Sequence, residues 1–308
     1  MRVTLLAGGV GGARFARGLV AAIDPVEVTI IGNVGDDVEL LGLHISPDLD
    51  TILYTLSGRI DPVNGWGVQG DTREAQSAAA ELGGADWFIL GDRDIGLHLV
   101  RSERLRAGEP LSAITADLAA RLGLAIRLLP ATDDHLRTFI GTDHGELGFQ
   151  HWLVGRRAVD LVRSVRFQGL PARPAPGVLE AIRGADVLVL APSNPFVSLD
   201  PILAVEGVRD ALVARRERVV AISPIIAGSA VKGPLAGMLE TLGPAPGALG
   251  VAELLAPLAA AFVLDEADVT LAPTVVELGL RAVVVPSLMR DLETSRRLAE
   301  VAISSVAP

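Results

Sequence analysis

Val3-Thr4-Leu5-Leu6-Ala7-Gly8-Gly9-Val10-Gly11-Gly12-Ala13-Arg14 decides the fold, because it runs from a short buried strand through a glycine turn into a helix. Glycine lets the backbone turn tightly and approach a phosphate, and the free amides of the helix that follows attract an anion. Gly8, Gly9, Gly11 and Gly12 are therefore the candidate nucleotide-binding turn. Neither standard motif fits it: the dinucleotide fingerprint would place its third glycine at Arg14, and the Gly-Lys-Ser/Thr ending of the P-loop is missing. The bland alternative is a tight strand-to-helix connection with no ligand.

Working outward, short apolar runs alternate with helix-length segments, the pattern of strands buried on both faces of a parallel sheet. Strands are expected at Val3–Leu6, Val26–Ile31, Trp87–Leu90, Ala125–Leu128, Val187–Leu190, Val219–Ile222, Ala261–Leu264 and Ala282–Val285. Helices are expected at Ala13–Ile23, Thr51–Leu56, Thr72–Leu82, Ile95–Ala107, Leu111–Leu122, Val178–Ile182, Val208–Ala214 and Leu292–Val301. The fold class is α/β, a doubly wound, mostly parallel, Rossmann-like sheet. Residues 1–137 and 170–308 form its nucleotide-binding core. Residues 138–169, where Gly141, Asp143 and Gly145 separate two β-like runs, form a smaller antiparallel insertion, a lid or a dimer surface.

Half of the residues are apolar, enough for a large core, and the net charge of −10 argues against a nucleic-acid partner. With no cysteine, disulfides, thiolate metal sites and cysteine nucleophiles are excluded. No run reads as a membrane span, and MRVTLLAGG is too short an apolar start for a signal peptide, so a cytoplasmic location is expected. The five histidines lack metal-ligand spacing, Asp265-Glu266-Ala267-Asp268 is a chance helicase-like string without a P-loop lysine, and no Gly-x-Ser-x-Gly elbow is present.

Three further stretches carry chemistry. Asp36 and Asp37 follow the second strand, and Asp48 and Asp50 stand two apart before a helix, where an extended backbone would aim both at one hard cation; magnesium favours few carboxylates plus phosphate oxygens. Leu90-Gly91-Asp92-Arg93-Asp94 ends an apolar run, where α/β folds bind ligands; Arg93 suits a phosphate or an aromatic ring, while Asp94 suits an N-cap and Asp71 with Glu74 a capping box. Ala191-Pro192-Ser193-Asn194-Pro195 and Ser223-Pro224-Ile225-Ile226 follow buried strands, which places Ser193, Asn194 and Ser223 for a nucleotide's base, ribose or phosphate.

Taken together, GGVGGARF at 8–15, NVGDD at 33–37, HISPDLDT at 44–51, LGDRD at 90–94, APSNP at 191–195 and SPIIAG at 223–228 resemble the 2-phospho-L-lactate transferase family (CofD, or FbiA in actinobacteria), most closely its actinobacterial branch. The resemblance covers nearly the whole chain and implies a transferase of coenzyme F420 biosynthesis. In such an enzyme a guanosine diphosphate ester of lactate or of enolpyruvate gives its phospho group to the terminal ribityl hydroxyl of the deazaflavin Fo, with magnesium bound and GMP released. Carried onto this sequence, it puts the glycines, Ser193 and Asn194 on the nucleotide. Asp36, Asp48 and Asp50 go to the metal, leaving open whether one of them, Asp36 or Asp50 foremost, instead orients or deprotonates the hydroxyl. Asp48, Asp50, Arg93 and Trp66 would meet Fo, and a homodimer is implied.

Two rivals from other classes stand beside this reading. A nucleotide-sugar-binding regulator resembling the YvcK group would share the glycine turn without the acidic series, and a nicotinamide-dependent oxidoreductase is opposed by the incomplete fingerprint.

Overall fold

The computed structural model describes residues 1–306. Seven parallel strands form the central sheet: β1 (Val3–Ala7), β2 (Val28–Gly32), β3 (Arg127–Pro130), β4 (Val187–Leu190), β5 (Val219–Ile222), β6 (Ala261–Leu264) and β7 (Arg281–Val284), in the order β7-β6-β5-β4-β1-β2-β3. β1, β4, β5 and β6 are buried along their whole length, which is why they read as unbroken apolar runs. Strand order reverses between β1 and β4, so the loops leaving their carboxyl ends, at Gly8 and at Pro192, open the crevice where doubly wound sheets take ligands.

Helix α1 (Gly9–Ala22) follows β1, α2 (Pro47–Leu56) follows a short antiparallel hairpin (Val38–Leu40 with Leu43–Ile45), and α3 (Asp92–Arg106) flanks the same end. The last helix, α4 (Leu292–Ser304), crosses α1 so closely that a Cβ on Gly18 would fall 2.2 Å from the Ser295 carbonyl oxygen. Residues 137–168 hold a three-stranded antiparallel sheet, Gly145–Gly148 and Val162–Gln168 on either side of Arg137–Thr142. Among the described residues, no helix is long and apolar enough to cross a membrane.

Two expectations fail. Trp87–Leu90 is not a strand: the Gln76 side chain donates to the Phe88 carbonyl and accepts from the Leu90 amide (2.9 Å), taking the place of a neighbouring strand. That run instead packs in a satellite cluster with Leu40 and Ile45. Helices at Leu235–Leu242, Gly247–Leu255 and Ala272–Glu277 were not foreseen, since their glycines and prolines count against helix while burial of their apolar residues in the core outweighs that cost.

Candidate active site

The crevice opens into a cavity of about 480 Å³, with the glycine turn, Asp36, Asp48 and Asp50 in its wall. α1 begins at Gly9 rather than at Ala13, so Gly9, Gly11 and Gly12 are its first turn. Gly9 takes φ +67°, and the need for glycine at 8, 11 and 12 is steric. A Cβ would stand 2.4 Å from Asp48 Oδ2 at Gly8, 2.4 Å from the Pro192 carbonyl oxygen at Gly11, and 2.9 Å from Ser193 Oγ at Gly12. Close packing brings the loops of β1 and β4 together and leaves first-turn amides without intrahelical acceptors. One of them, at Gly9, donates to Asp48 Oδ1 at 2.7 Å.

The three predicted metal carboxylates do not converge. Pro47 starts α2, so Asp48 and Asp50 lie in a helical turn instead of an extended approach, and two helical positions are about 200° apart. Asp48 faces the glycine turn, where Asn33 Nδ2 bridges its Oδ2 and Asp36 Oδ1, both at 3.0 Å. Gln150 donates to the other Asp36 oxygen at 3.2 Å. Asp50 turns the opposite way into a two-point pair with Arg101, 2.9 Å at Nη1, both side chains buried. Asp37 is absorbed by His44 and Ser46, each at 2.9 Å.

Electrostatics separates these carboxylates further. Burial, then the repulsion of Asp48 and Asp37, holds Asp36 well above the usual carboxylate range. Burial likewise lifts Asp48 to about 6, against the hydrogen bonds from Asn33 and Gly9 that favour its ionised form. Neither forms an ion pair with Lys, Arg or His among the described residues, whereas Asp50 has Arg101. Among those residues there is also no group of three or more His, Cys, Asp or Glu able to hold a metal. Two buried, mutually repelling carboxylates fit magnesium, which takes one or two carboxylates and completes its shell with water and substrate phosphate.

Opposite the glycine turn, Asp94 and His98 stand one turn apart on α3 and face the cavity. Tyr54, kept protonated because burial and the nearby Asp50 and Asp94 push its pKa up, donates to Asp94 Oδ1 at 2.6 Å. Asp94 is thus a tyrosine acceptor inside the first turn, and Gly91 holds the N-cap position. Arg93 and Leu97, on the neighbouring face of α3, line a separate cleft with Arg59 and Gln69. Arg93 therefore lies outside the cavity that holds the other predicted residues. Nor is Asp71 the cap of its own helix: it accepts from the Arg93 and Asp94 amides of α3 (2.9 and 3.1 Å), while Asp92 accepts from Glu74 and Ala75 (3.1 and 3.0 Å). The two helices cap each other.

Trp66, Ser193, Asn194 and Ser223 all line the cavity. The polar three hold loops as well: Ser193 Oγ donates to the Gly8 carbonyl (2.7 Å), Asn194 accepts from the Phe196 amide (3.0 Å), and Ser223 Oγ donates to the Ile225 carbonyl (3.0 Å). Sequence reasoning assigned no role here to Asn33, Gln150, Tyr54, Arg14 or Lys232, or to Arg101 as partner of Asp50. A usable signal existed only for Asp94, His98 and Arg101, whose spacing puts them on one helical face.

The family model for the 2-phospho-L-lactate transferase CofD matches residues 3–277. The chain belongs to the CofD family. Phosphoenolpyruvate transferases from Kitasatospora aureofaciens and Thermobifida fusca are each 43% identical to it; the first alignment covers 99% of this chain and 97% of the relative, the second 98% and 97%. A third, from Streptomyces coelicolor, is 41% identical over 99% and 98%. The crystal structure of protein BH3568 from Bacillus halodurans shares the fold, with a TM-score of 0.65 at 18% identity over 98% of this chain and 99% of that one. This CofD-family chain is accordingly an enzyme, a phosphoryl-group transferase of coenzyme F420 biosynthesis. Its full-length relatives favour that reading over a nucleotide-sugar-binding regulator.

Proposed function

We propose that the protein transfers a phosphoenolpyruvyl group from enolpyruvyl-diphospho-5'-guanosine to the ribityl hydroxyl of Fo and releases GMP. The observation that carries the chemistry is the uncompensated pair Asp36 and Asp48 facing the first turn of α1. The choice of enolpyruvyl over lactyl rests on the full-length relatives, which bear the name phosphoenolpyruvate transferase. A cavity of about 480 Å³ lies within the range of about 300–1,000 Å³ usual for small-molecule sites.

In this reading Asp36 and Asp48 are the residues that would hold magnesium. The ion would neutralise charge on the transferring phosphoryl oxygens. First-turn amides of α1 receive the diphosphate, and the Ser193 and Ser223 loops flank the nucleotide. Tyr54, Phe88, Ile89 and Phe149, with Trp66, offer the apolar and aromatic wall on which a planar deazaflavin rests. Asn33 and Gln150 keep the two carboxylates aimed at one point, so the chain's contribution is mainly positioning. A homodimer belongs to the same proposal, and sedimentation equilibrium tests it. The purified protein, offered Fo, magnesium and either the lactyl or the enolpyruvyl donor, should yield chiefly the product whose mass carries enolpyruvate; preferential lactyl transfer would reverse the donor assignment.

A further inference from the structure

Two cations of the cavity have no carboxylate partner among the described residues. Arg14 lies on α1 one turn after Val10, and Lys232 projects from the loop between the short Ile225–Ala230 hairpin and the helix at Leu235. Several arginines elsewhere in the protein do have acid partners, as Arg104 does with Glu109 and Asp117, and Arg166 with Glu146. Both unpaired charges lie against one point: a Cβ on Gly65 would stand 3.6 Å from Lys232 Nζ, 3.7 Å from an Arg14 guanidinium nitrogen and 3.0 Å from Val10 Cγ1. Gly65 takes φ +73°, so the loop that carries Trp66 turns there with its backbone packed against Val10, Arg14 and Lys232, and the two cations beside it line the cavity.

We propose that Arg14 and Lys232 form an oxyanion clamp for the donor, beside the first turn of α1. Like charges brought together without a counter-ion repel each other, and lost hydration together with Arg14 draws the Lys232 pKa below the ordinary lysine value. An anion in the cavity removes that conflict. Charge counting points the same way: Asp36, Asp48, the donor diphosphate and the donor carboxylate bring five negative charges, a divalent ion offsets two, and Arg14 with Lys232 offset two more. Lys232 donates to the Asn64 carbonyl at 2.5 Å, which leaves ammonium protons for a ligand.

The inference rests on the proposed donor, and the oxyanion it grips is either the diphosphate or the carboxylate of the transferred group. Calorimetric titration of wild type, Arg14→Met, Lys232→Met and Lys232→Arg with GDP, with the complete enolpyruvyl donor and with Fo tests it. Each methionine variant should lose at least about tenfold in donor affinity, Lys232→Arg should retain most of it, and Fo affinity should stay within about twofold. A parallel loss for GDP identifies the diphosphate as the ligand group; a loss confined to the complete donor identifies the carboxylate. Thermal melts matching wild type show that the variants fold, and should one methionine variant not fold, the other carries the test, unchanged donor affinity in it overturning the clamp. Donor affinity unchanged in both methionine variants overturns the clamp alone, whereas a wild-type protein that binds neither GDP nor donor overturns the donor assignment and the clamp with it.

Discussion

Replacing Arg101 with methionine leaves the Asp50 carboxylate buried with its two-point partner gone. Both side chains are almost wholly shielded, Arg101 at 0% and Asp50 at 6% exposure, so water cannot take over the lost contacts. Breaking a pair of this kind typically costs about 3–5 kcal/mol, because the remaining charge keeps its desolvation penalty. With an unfolding entropy of about 2 cal/mol/K per residue, a chain of this length loses about 1.5 °C in Tm for each kcal/mol, which places the expected drop at about 5–8 °C. Asp50→Asn should fall in the same range by stranding Arg101. The double variant removes both charges and should recover at least about 2 kcal/mol relative to the sum of the single losses. Thermal melts followed by circular dichroism, with urea titrations for the cycle, measure all three. Single losses under about 1 kcal/mol, or a strictly additive cycle, would refute the buried pair and return Asp50 to the role of a free carboxylate in the cavity.

Asp48→Asn should cut transfer by at least about 100-fold, equivalent to about 2.7 kcal/mol of transition-state stabilisation, and should raise the magnesium concentration needed for half-maximal rate in steady-state assays; normal turnover would remove Asp48 from the metal. Burial raises the folded-state pKa of Asp48 from 3.8 to about 6, so its protonated form stabilises the fold fully below the ordinary carboxylate pKa and that contribution disappears as pH rises through 6. Metal-free wild type should therefore lose stability relative to Asp48→Asn between pH 4 and 7, by on the order of 3 kcal/mol, and a difference that stays flat across urea titrations in this window contradicts the assignment. Gly11→Ala forces a methyl to within 2.4 Å of the Pro192 carbonyl; about 1–3 kcal/mol of stability should be lost together with GDP affinity, and an unchanged melt would show that the loops of β1 and β4 are not packed as described. Asp92→Ala removes the cap borrowed by the helix at Glu74–Glu81 and should cost about 1 kcal/mol by chemical denaturation, whereas a neutral result would mean that helix is held by other contacts.

Periodicity alone reveals the parallel sheet, because strands covered on both faces must be apolar at every position, as Val187–Leu190 and Ala261–Leu264 are. It also reveals the glycine turn after β1, since few other residues tolerate such close approach. Trp87–Leu90 has the same local look, and only the amide of Gln76, fourteen residues from Leu90 in sequence, shows that its backbone is satisfied without a sheet. The destination of each carboxylate is likewise a property of the assembled molecule. Asp48 and Asp50 are chemically alike and two residues apart, yet starting α2 at Pro47 turns one toward Asn33 and the glycine turn and the other into Arg101. Side-chain direction depends on backbone geometry, and pKa on burial and neighbours brought from distant parts of the chain; tertiary packing sets both, and neighbouring letters do not encode them.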